Sequence, residues 1–310
     1  MAKIWVLGEA LIDFVQREDG ADAPFHPVNG GSPFNAAKAA RRQGSEVGFL
    51  GALSMDMFGE RLWSELDAEG VDTSATPRLD NPTMLAFVQL ENGEPRYAFY
   101  SEGTAARMVD PVQNLAAGDI LHVGSLGLVD QPGADNTERY AMAQANHALL
   151  SVDPNARPVV THDPADWRAR VMRLINLAGV VKLSDEDLAE LAPGRDFDDF
   201  AEEILGLGVG LVVMTQGPDG AIGRSQNARA TVEGHRIDIV DAVGAGDTVT
   251  GTLLAQLAAR GLTDKASVAA LDADTIKELL TFSMGAAAVN CTRAGCNPPT
   301  PEETRAFLGL

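Results

Sequence analysis

A short run of small residues ending in a carboxylate has the clearest capacity for chemistry in this chain. The run consists of Gly244, Ala245, Gly246 and Asp247. It lies between an apolar stretch at 237–240, which predicts a strand, and an amphipathic pattern at 249–260, which predicts a helix. Backbone N–H groups at a helix start attract an anion, and a carboxylate beside that anion is suited to take a proton from an attacking hydroxyl. The structural alternative is that Asp247 only caps the helix.

A second glycine-rich loop opens another predicted helix, at 33–43, and suits the close approach of a polyol. Gly30 and Gly31 precede Asn35, whose amide offers a donor and an acceptor together. Asp13, just past the first predicted strand, is able to accept two sugar hydroxyls on its two oxygens. The loop lacks the G-x-G-x-x-G spacing of a dinucleotide fingerprint, and the chain has no Walker-type phosphate loop.

The composition bounds the class of protein that carries these motifs. The chain has 310 residues, a formal net charge of −20 and 45% hydrophobic residues, which describes a globular protein with an ample core. The negative charge argues against nucleic acid and anionic membranes as partners. No apolar run is long enough to span a membrane, and the first predicted strand is too short for a signal-peptide core, so a cytoplasmic protein is expected. Two cysteines, Cys291 and Cys296, cannot supply a disulfide framework or a four-ligand metal site.

Short apolar runs alternate with helical patterns along the chain and predict the elements that position these motifs. Strand-like runs are found at 4–7, 47–50, 120–123, 159–161, 180–183 and 211–214, and helical patterns include 33–43 and 58–69. Such runs are typical of buried parallel strands, and helices between them indicate β-α crossovers. We therefore expect an α/β fold, a doubly wound and mostly parallel sheet flanked by helices, with ligands at the carboxyl ends of its strands.

A predicted hairpin interrupts this alternation. Two strand-like runs within 83–101 flank a turn at 91–94 and, together with residues near 12–26, suit a small sheet that projects from the main domain. A sheet projecting over the strand ends would serve as a lid, and the alternative is an edge hairpin with no catalytic role. The chain shows no long linker, so residues 1–310 are expected to form one domain with this lid.

The two glycine-rich motifs together resemble the signatures of the ribokinase/PfkB sugar kinases, and those of bacterial fructokinases most closely. The first motif extends from Gly30 to Gly59 and the second from Asp241 to Asp247. They stand in the order and at the separation of that family, and the resemblance covers essentially the whole chain. It implies a ribokinase-like fold and ATP-dependent phosphorylation of a sugar hydroxyl, fructose being converted to fructose 6-phosphate with Mg²⁺ bridging the ATP phosphates.

The resemblance also implies roles for individual residues. Asp247 would be the base, and the amides of Gly244, Ala245 and Gly246 would stabilise charge on the transferred phosphoryl group. The positions that match sugar-holding residues are Asp13, Gly30, Gly31 and Asn35, with Arg157 in the 153–158 segment that faces the phosphate path. The positions that match nucleotide-binding residues are Thr215, Gly217, Gly220 and, near the adenine pocket, Asn290.

Two segments depart from the family pattern. Ala242 stands where the family has Thr or Cys, which leaves the backbone amides in place. Residues 182–187 replace an N-x-x-E motif for metal and phosphate; there Lys182 would touch a phosphate and Asp185 would hold Mg²⁺ through water. The alternative for this segment is a helix start with Ser184 as the N-cap and an acidic first turn.

The predicted lid bears on the choice of sugar. Tyr97 and Phe99 share one side of a strand and would close over an apolar sugar face, unless they serve lid packing or a dimer contact. Ser101 and Glu102 follow the lid aromatics where related ketodeoxygluconate kinases place an arginine for the carboxylate, so a neutral sugar is favoured. An exposed hairpin edge also suits a homodimer through the lid sheet. The family further implies a monovalent cation such as K⁺ near Asp241.

Three other functions stay open from the sequence. A related kinase would act on ketodeoxygluconate, ribose, tagatose phosphate or a nucleoside. A sugar-binding regulator on the same scaffold would have no use for a base beside an anion site, which argues against it because Asp247 is present. An oxidoreductase on a doubly wound sheet is disfavoured by the missing dinucleotide fingerprint.

Overall fold

Strands and helices alternate over most of the chain in the computed structural model, which describes residues 2–310 apart from 17, 19, 21, 92 and 93. The strands are β1 (Lys3–Leu7), β2 (Leu11–Gln16), β3 (Phe25–Gly30), β4 (Glu46–Phe49), β5 (Leu53–Ser54), β6 (Arg78–Leu79), β7 (Met84–Glu91), β8 (Glu94–Tyr100), β9 (Ile120–Gly124), β10 (Leu149–Asp153), β11 (Val180–Ser184), β12 (Leu211–Thr215), β13 (Ala221–Ser225) and β14 (Arg229–Val232). The helices are α1 (Ser32–Arg42), α2 (Met57–Ala68), α3 (Gly133–Gln144), α4 (Pro164–Ile175), α5 (Asp185–Leu191), α6 (Phe197–Gly206), α7 (Ala245–Ala259), α8 (Lys265–Ala269), α9 (Ala273–Cys291) and α10 (Pro301–Leu308).

The central sheet has the strand order β14-β13-β12-β11-β10-β9-β1-β4. The six strands from β12 to β4 in this order are parallel to their neighbours, and β13 and β14 extend the sheet as antiparallel strands. Parallel neighbours need crossover connections, which the helices provide. The predicted mostly parallel sheet flanked by helices is therefore confirmed.

Both faces of this sheet are buried, which explains why its strands are continuous apolar runs. On β1, Ile4 and Val6 pack in a core shared with α1, α7 and α9, whereas Trp5 and Leu7 pack in a second core shared with α3, α4 and α6. The apolar faces of these helices pack against the sheet in the two cores. Within the described part of the chain, no helix has both the length and the apolar character needed to cross a membrane.

The stretch at 159–161, predicted as a strand, is a turn. The amide of Thr161 donates to the carbonyl oxygen of Arg157 at 3.1 Å, and Val159 is 68% exposed. Pro158, directly before this stretch, has no amide N–H, so a central strand cannot extend through it. The strand at this place in the sheet is β10, which ends in Asp153 and was missed from the sequence.

The apolar stretch at 237–240, also predicted as a strand, does not form one. Ile239 and Val240 are exposed, and the amide of Val240 donates to the carbonyl oxygen of Cys291 at 2.9 Å. The sheet ends at the edge strand β14, and the chain leaves it there to reach the end of α9. An irregular segment, rather than a strand, therefore leads into α7.

A second sheet has four strands in the order β3-β2-β7-β8. Strands β7 and β8 form the antiparallel hairpin predicted within 83–101, and residues 92 and 93 of its predicted turn lie outside the described residues. Strand β2 pairs antiparallel with β3 and parallel with β7, so the region near 12–26 contributes to this sheet as expected, with β3 continuing to Gly30. Phe14 and Phe87 stack on one face with ring centroids 4.9 Å apart.

Helices α1 and α7 touch along their length because the residues between them are small. A Cβ atom added to Gly251 of α7 would lie 2.5 Å from the carbonyl oxygen of Ala36 and 2.6 Å from Cβ of Ala39, both in α1. Real Cβ atoms do not approach so closely, so glycine is required at this point for the observed spacing. The α1–α7 seam therefore fixes the relative position of the two helix starts.

We predict that Gly251→Ala lowers the free energy of unfolding by about 1–3 kcal/mol, because the added methyl group overpacks the α1–α7 seam. Gly206→Ala is the matched control, since Gly206 also lies in a helix but no atom lies within 4 Å of an added Cβ. The control should raise the free energy of unfolding by about 0.4–1 kcal/mol. Urea unfolding measures both changes, and equal effects of the two substitutions would contradict the close packing of the seam.

Candidate active site

The starts of α1 and α7 converge on the Asp247 carboxylate. Asp247 is buried, its Oδ1 accepts a hydrogen bond from Ser32 Oγ at 2.6 Å, and its Oδ2 accepts one from Asn35 Nδ2 at 2.8 Å. The N-cap of α7 is Gly244, and no side chain caps this helix. The capping alternative for Asp247 is therefore wrong, because both of its oxygens contact the other helix.

Burial is the largest influence on the protonation of Asp247 and raises its pKa above the ordinary value. The hydrogen bonds from Ser32 and Asn35 favour the ionised form and oppose this rise. The negative charge of Asp153 raises the pKa further, and the positive charge of Lys182 lowers it. The result is a carboxylate that binds a proton more readily than an exposed aspartate does, as a general base requires.

The turn before α7 is held by side chains on both sides. Gly244 has a φ of +74°, and a Cβ atom there would lie 2.3 Å from Cys296 Sγ, so only glycine fits. Asp241 accepts hydrogen bonds from the amides of Val243 at 3.0 Å and Gly295 at 2.9 Å. The amide of Ala245 donates to the carbonyl oxygen of Ala242 at 3.2 Å. These contacts give the small-residue turn one defined shape.

Asn290, predicted to lie near the adenine pocket, is fully buried and braces this turn. Its Nδ2 donates to the carbonyl oxygen of Val243 at 2.9 Å, and its Oδ1 accepts from the amide of Asn297 at 2.7 Å. Both polar atoms of the side chain are therefore engaged by the protein backbone.

A buried ion pair lies close to the start of α7. Lys182 Nζ is 3.0 Å from Asp153 Oδ2, and Thr250 Oγ1 donates to the same oxygen at 2.9 Å. A Cβ atom on Gly246 would lie 3.3 Å from Lys182 Nζ, so the ammonium group reaches the turn predicted to bind an anion. Lys182 was predicted here from the sequence, whereas the roles of Asp153 and Thr250 were missed.

The residues predicted to hold a sugar come together on the other side of Asp247. A Cβ atom on Gly30 would lie 2.1 Å from Asp13 Oδ2, so glycine makes room for that carboxylate. Gly31 has a φ of +105° and precedes α1. Asn35 Oδ1 is buried and has no hydrogen-bond partner among the described residues, which leaves an acceptor available to a ligand.

Charges around Asp13 oppose one another. Burial raises the pKa of Asp13 to about 6, the guanidinium of Arg157 lowers it, and the carboxylate of Asp247 raises it. Arg157 is exposed and donates to the carbonyl oxygen of Ala156 at 3.0 Å. Glu9, which sequence reasoning missed, accepts from the amide of Ser32 at 3.3 Å, and burial raises its pKa to about 7.

The two predicted lid aromatics share a sheet face with Asp13. The register aligns Asp13 with Ala86 and Ala86 with Phe99, so the three side chains form one cross-strand row. Tyr97 stacks on Phe99 with ring centroids 6.3 Å apart and is 49% exposed. Tyr100 belongs to the opposite face, where it contacts Phe87.

The predicted nucleotide loop follows β12. Thr215 ends this strand, is buried, and donates to the carbonyl oxygen of Leu183 at 3.5 Å. Gly217 and Gly220 have φ values of +54° and +107°, and a Cβ atom on Gly220 would lie 2.0 Å from the carbonyl oxygen of Val232. The two glycines therefore allow a tight turn at the carboxyl end of a central strand.

The segment predicted to hold Mg²⁺ forms a capped helix start. Ser184 and Asp187 make a capping box, and Asp187 also accepts from the amide of Ala156 at 2.6 Å. Asp185 is exposed and accepts from the amide of Glu186 at 3.1 Å. Among the residues that the structure describes, no three His, Cys, Asp or Glu side chains cluster as metal ligands. This donor set fits a hydrated ion held mainly by phosphates better than a protein cage.

Fructokinases are among the known proteins that are similar to this chain in sequence and in structure. The fructokinase of Rhizobium leguminosarum bv. trifolii is 38% identical over 274 residues, covering 87% of this chain and 84% of the relative. The ATP-bound fructokinase of Xylella fastidiosa superposes with a TM-score of 0.88 at 27% identity, covering 99% of this chain and 98% of that one. The fructokinase of Vibrio cholerae O395 with fructose, ADP and calcium ion superposes with a TM-score of 0.85 at 28% identity, over 99% of each chain. A double mutant of the same enzyme with fructose, ADP and potassium ion has a TM-score of 0.86 at 27% identity, over 99% and 98%.

The fold of these structures is the ribokinase-like α/β fold, which confirms the fold expected from the resemblance. The sequence model of the family described as pfkB family carbohydrate kinase matches residues 1–303, almost the entire chain. The protein is accordingly a sugar kinase that phosphorylates an alcohol group, and it belongs to the pfkB family of carbohydrate kinases.

Proposed function

We propose that this kinase transfers the γ-phosphoryl group of ATP to fructose and forms fructose 6-phosphate, with Asp247 as the general base. The observation that carries the proposal is the buried Asp247 carboxylate, held by Ser32 and Asn35 where two helix starts meet. The fructose-bound form of the related Vibrio cholerae enzyme supports the choice of sugar. We place the reaction in the cytoplasm, where ATP is supplied.

The sugar would bind between the second sheet and the start of α1. Asp13 accepts two hydroxyls, and Asn35 Oδ1, which has no partner among the described residues, accepts another. Gly30 and Gly31 allow the ring to approach the backbone, while Tyr97 and Phe99 cover its apolar face. A hydroxyl placed beside Asp247 then loses its proton to this carboxylate as it attacks the phosphoryl group.

The nucleotide would bind on the opposite side of Asp247. The small-residue turn of Gly244, Ala245 and Gly246 stabilises the charge that develops on the transferred group, and Lys182 supplies a cation beside Gly246. The loop with Thr215, Gly217 and Gly220 contacts the remaining phosphates, and Arg157 faces the phosphate path. Asn290, which is fully buried, supports the adenine side of the site through its hydrogen bond to Val243.

Ions complete the proposed nucleotide site. Mg²⁺ neutralises the phosphate charge when it is bound, and Asp185 would hold it through water. A monovalent cation such as K⁺ would bind near Asp241 and Val243. The calcium and potassium ions of the related Vibrio cholerae structures support metal binding in this family.

A neutral sugar is preferred over a sugar acid because negative groups follow β8. Ser101 Oγ donates to Asp130 Oδ1 at 3.4 Å, and Glu102 comes next in the chain. Arg107 Nε lies 3.9 Å from Asp130 Oδ1 and donates to the carbonyl oxygen of Gln131. A substrate carboxylate here would meet like charges and an arginine that is already engaged.

The second sheet would act as the lid and also as the surface of a homodimer. Strand β8 is an edge strand, and an exposed edge favours pairing with another chain. On the face away from Asp13, Tyr100 is 63% exposed and Phe25 is also exposed. A second copy covering these side chains would remove apolar surface from water.

We predict that ADP is released with Mg-ATP and fructose, and much more slowly with ketodeoxygluconate, ribose, tagatose phosphate or a nucleoside. A coupled assay on the purified protein measures kcat/KM for each acceptor at matched ATP. A preference for the sugar acid would contradict the argument from Ser101 and Glu102 but keep the kinase assignment. Turnover with none of these acceptors would contradict the proposed substrate class.

We predict that Asp247→Asn lowers kcat by about 10²–10⁴-fold, because the base is lost. The free energy of unfolding of the variant at neutral pH should equal or exceed that of the wild type, since a buried charge is removed and an amide is able to keep both contacts.

In the wild type, activity should fall as pH drops through the raised pKa of Asp247, because only the ionised carboxylate accepts a proton. Ser32→Ala removes a bond that lowers this pKa, so its acid limb should lie at higher pH. An acid limb unmoved by Ser32→Ala, or an active Asp247→Asn enzyme, would contradict the role of Asp247.

We predict that Tyr97→Ala raises KM for the sugar while leaving KM for ATP close to that of the wild type. Tyr97 stacks on Phe99 on the face shared with Asp13, whereas Tyr100 lies on the opposite face of the same strand. Tyr100→Ala is therefore the matched control and should leave both constants unchanged. Equal effects of the two substitutions on KM for the sugar would show that the aromatic pair does not cover the substrate.

A further inference from the structure

Four polar residues interrupt the apolar core beneath α7. His122 is aligned with Ser151 across β9 and β10, and Ser151 is aligned with Val180 of β11, which places Asp153 beside Lys182 on the same sheet face. These four side chains are almost completely buried. Their sheet face otherwise carries apolar residues packed against α1, α7 and α9. Burial of this much polarity is unfavourable unless the groups are hydrogen-bonded or paired with an opposite charge, as His122–Ser151 and Asp153–Lys182 are.

The two oxygens of Asp153 have different surroundings. Oδ2 accepts from Lys182 Nζ at 3.0 Å and from Thr250 Oγ1 at 2.9 Å. Oδ1 is buried and has no partner among the described residues. Lys182 is therefore the cation that directly compensates this carboxylate, and Thr250 connects the pair to α7.

Lys182 is directed at the turn that the proposed function assigns to the phosphates. Its ammonium group lies 3.3 Å from where a Cβ atom of Gly246 would be. The side chain is 6% exposed, so solvent does little to hold its charge or its position. Something within the protein must do both.

The groups that face Lys182 come from four elements. Burial lowers its pKa, and the charges of Asp153 on β10, Asp187 on α5 and Asp247 on α7 together raise it above the ordinary value. His122 on β9 faces the same ammonium group and stays neutral, because burial lowers its pKa to about 3. Asp153 is the acid among these that also holds the ammonium group by a hydrogen bond.

We propose that Asp153 is a positioning residue that keeps Lys182 charged and fixed beneath the phosphate-binding turn. This inference rests on the proposed function and extends it, because it assigns the supply of positive charge at the transferred phosphoryl group to a pair rather than to a lysine alone. Asp153 itself touches neither substrate. The negative charge of Asp153 also raises the pKa of Asp247, so Asp153 affects the protonation of both Lys182 and Asp247.

The decisive substitution is Asp153→Asn, which preserves the shape of the side chain and removes its charge. We expect the pKa of Lys182 to fall, because burial is no longer opposed by its nearest charge. The kcat/KM profile should then acquire a basic limb, with activity lost as pH rises through the lowered pKa. The acid limb should move to lower pH, because the pKa of Asp247 is no longer raised by Asp153.

Two further variants separate positioning from simple structural support. Thr250→Val removes a hydrogen bond to the same carboxylate oxygen but keeps its charge, so it should lower stability without moving the acid limb or adding a basic limb. Lys182→Arg added to Asp153→Asn should abolish the basic limb, because a guanidinium does not lose its proton in this range. A uniform loss of activity in Asp153→Asn with an unmoved acid limb and no basic limb, or the same changes of the pH profile in Thr250→Val, would overturn the proposal.

A binding measurement separates this inference from the proposed function. Calorimetry with the non-hydrolysable analogue AMP-PNP and Mg²⁺ should show that Asp153→Asn loses affinity at alkaline pH but retains it at acidic pH. A wild type that turns over no sugar would contradict the proposed function and leave this test intact. If Asp153→Asn does not fold, NMR titration of labelled lysine in the wild type decides, with Lys182→Arg giving the assignment. A pKa of Lys182 below the ordinary value of a lysine in the wild type would overturn the proposal.

Discussion

The hydrogen bonds from the first turn of α1 to the Asp247 carboxylate are the interaction on which the site depends. They join two helices whose starts both attract negative charge, and they orient the one acid that stands between the predicted sugar and phosphate positions. The small residues along the α1–α7 seam make these bonds geometrically available, since a wider helix spacing would separate Ser32 from Asp247. Packing along the seam therefore helps to set the geometry around Asp247.

Much of the fold follows from patterns that act locally. Continuous apolar runs predict buried parallel strands, and the hairpin within 83–101 follows from two strand-like runs around a turn. The predictions were wrong at 159–161 and 237–240, where apolar residues occur without strand partners. The first stretch follows Pro158 and folds into a turn, and in the second the chain has already left the edge of the sheet. Hydrophobicity alone does not show that a stretch lacks a partner strand.

Site residues were predictable from the sequence where the backbone geometry restricts the residue type. They were less predictable where two side chains must contact each other. Glycines at 30, 31 and 244 are required by close contacts or positive φ values, and a sequence motif preserves such requirements. The Asp153–Lys182 pair joins residues 29 positions apart on neighbouring strands, so their contact appears only once strand order is known. Likewise, helix geometry turns Asp185 outward and Asp187 inward, a difference that an acidic run does not reveal.

Asp13 and Asp247 belong to different parts of the molecule, since one stands on the second sheet and the other at the start of α7. Two packed helices hold the Asp247 carboxylate, so a closing movement would have to carry Asp13 towards it. Their like charges oppose that approach, because each ionised carboxylate makes ionisation of the other less favourable. A polyol between them supplies hydroxyl donors to both. Closure would thus require a bound sugar. Without a sugar, the site would stay open to water, and the phosphate donor and Asp247 would remain apart.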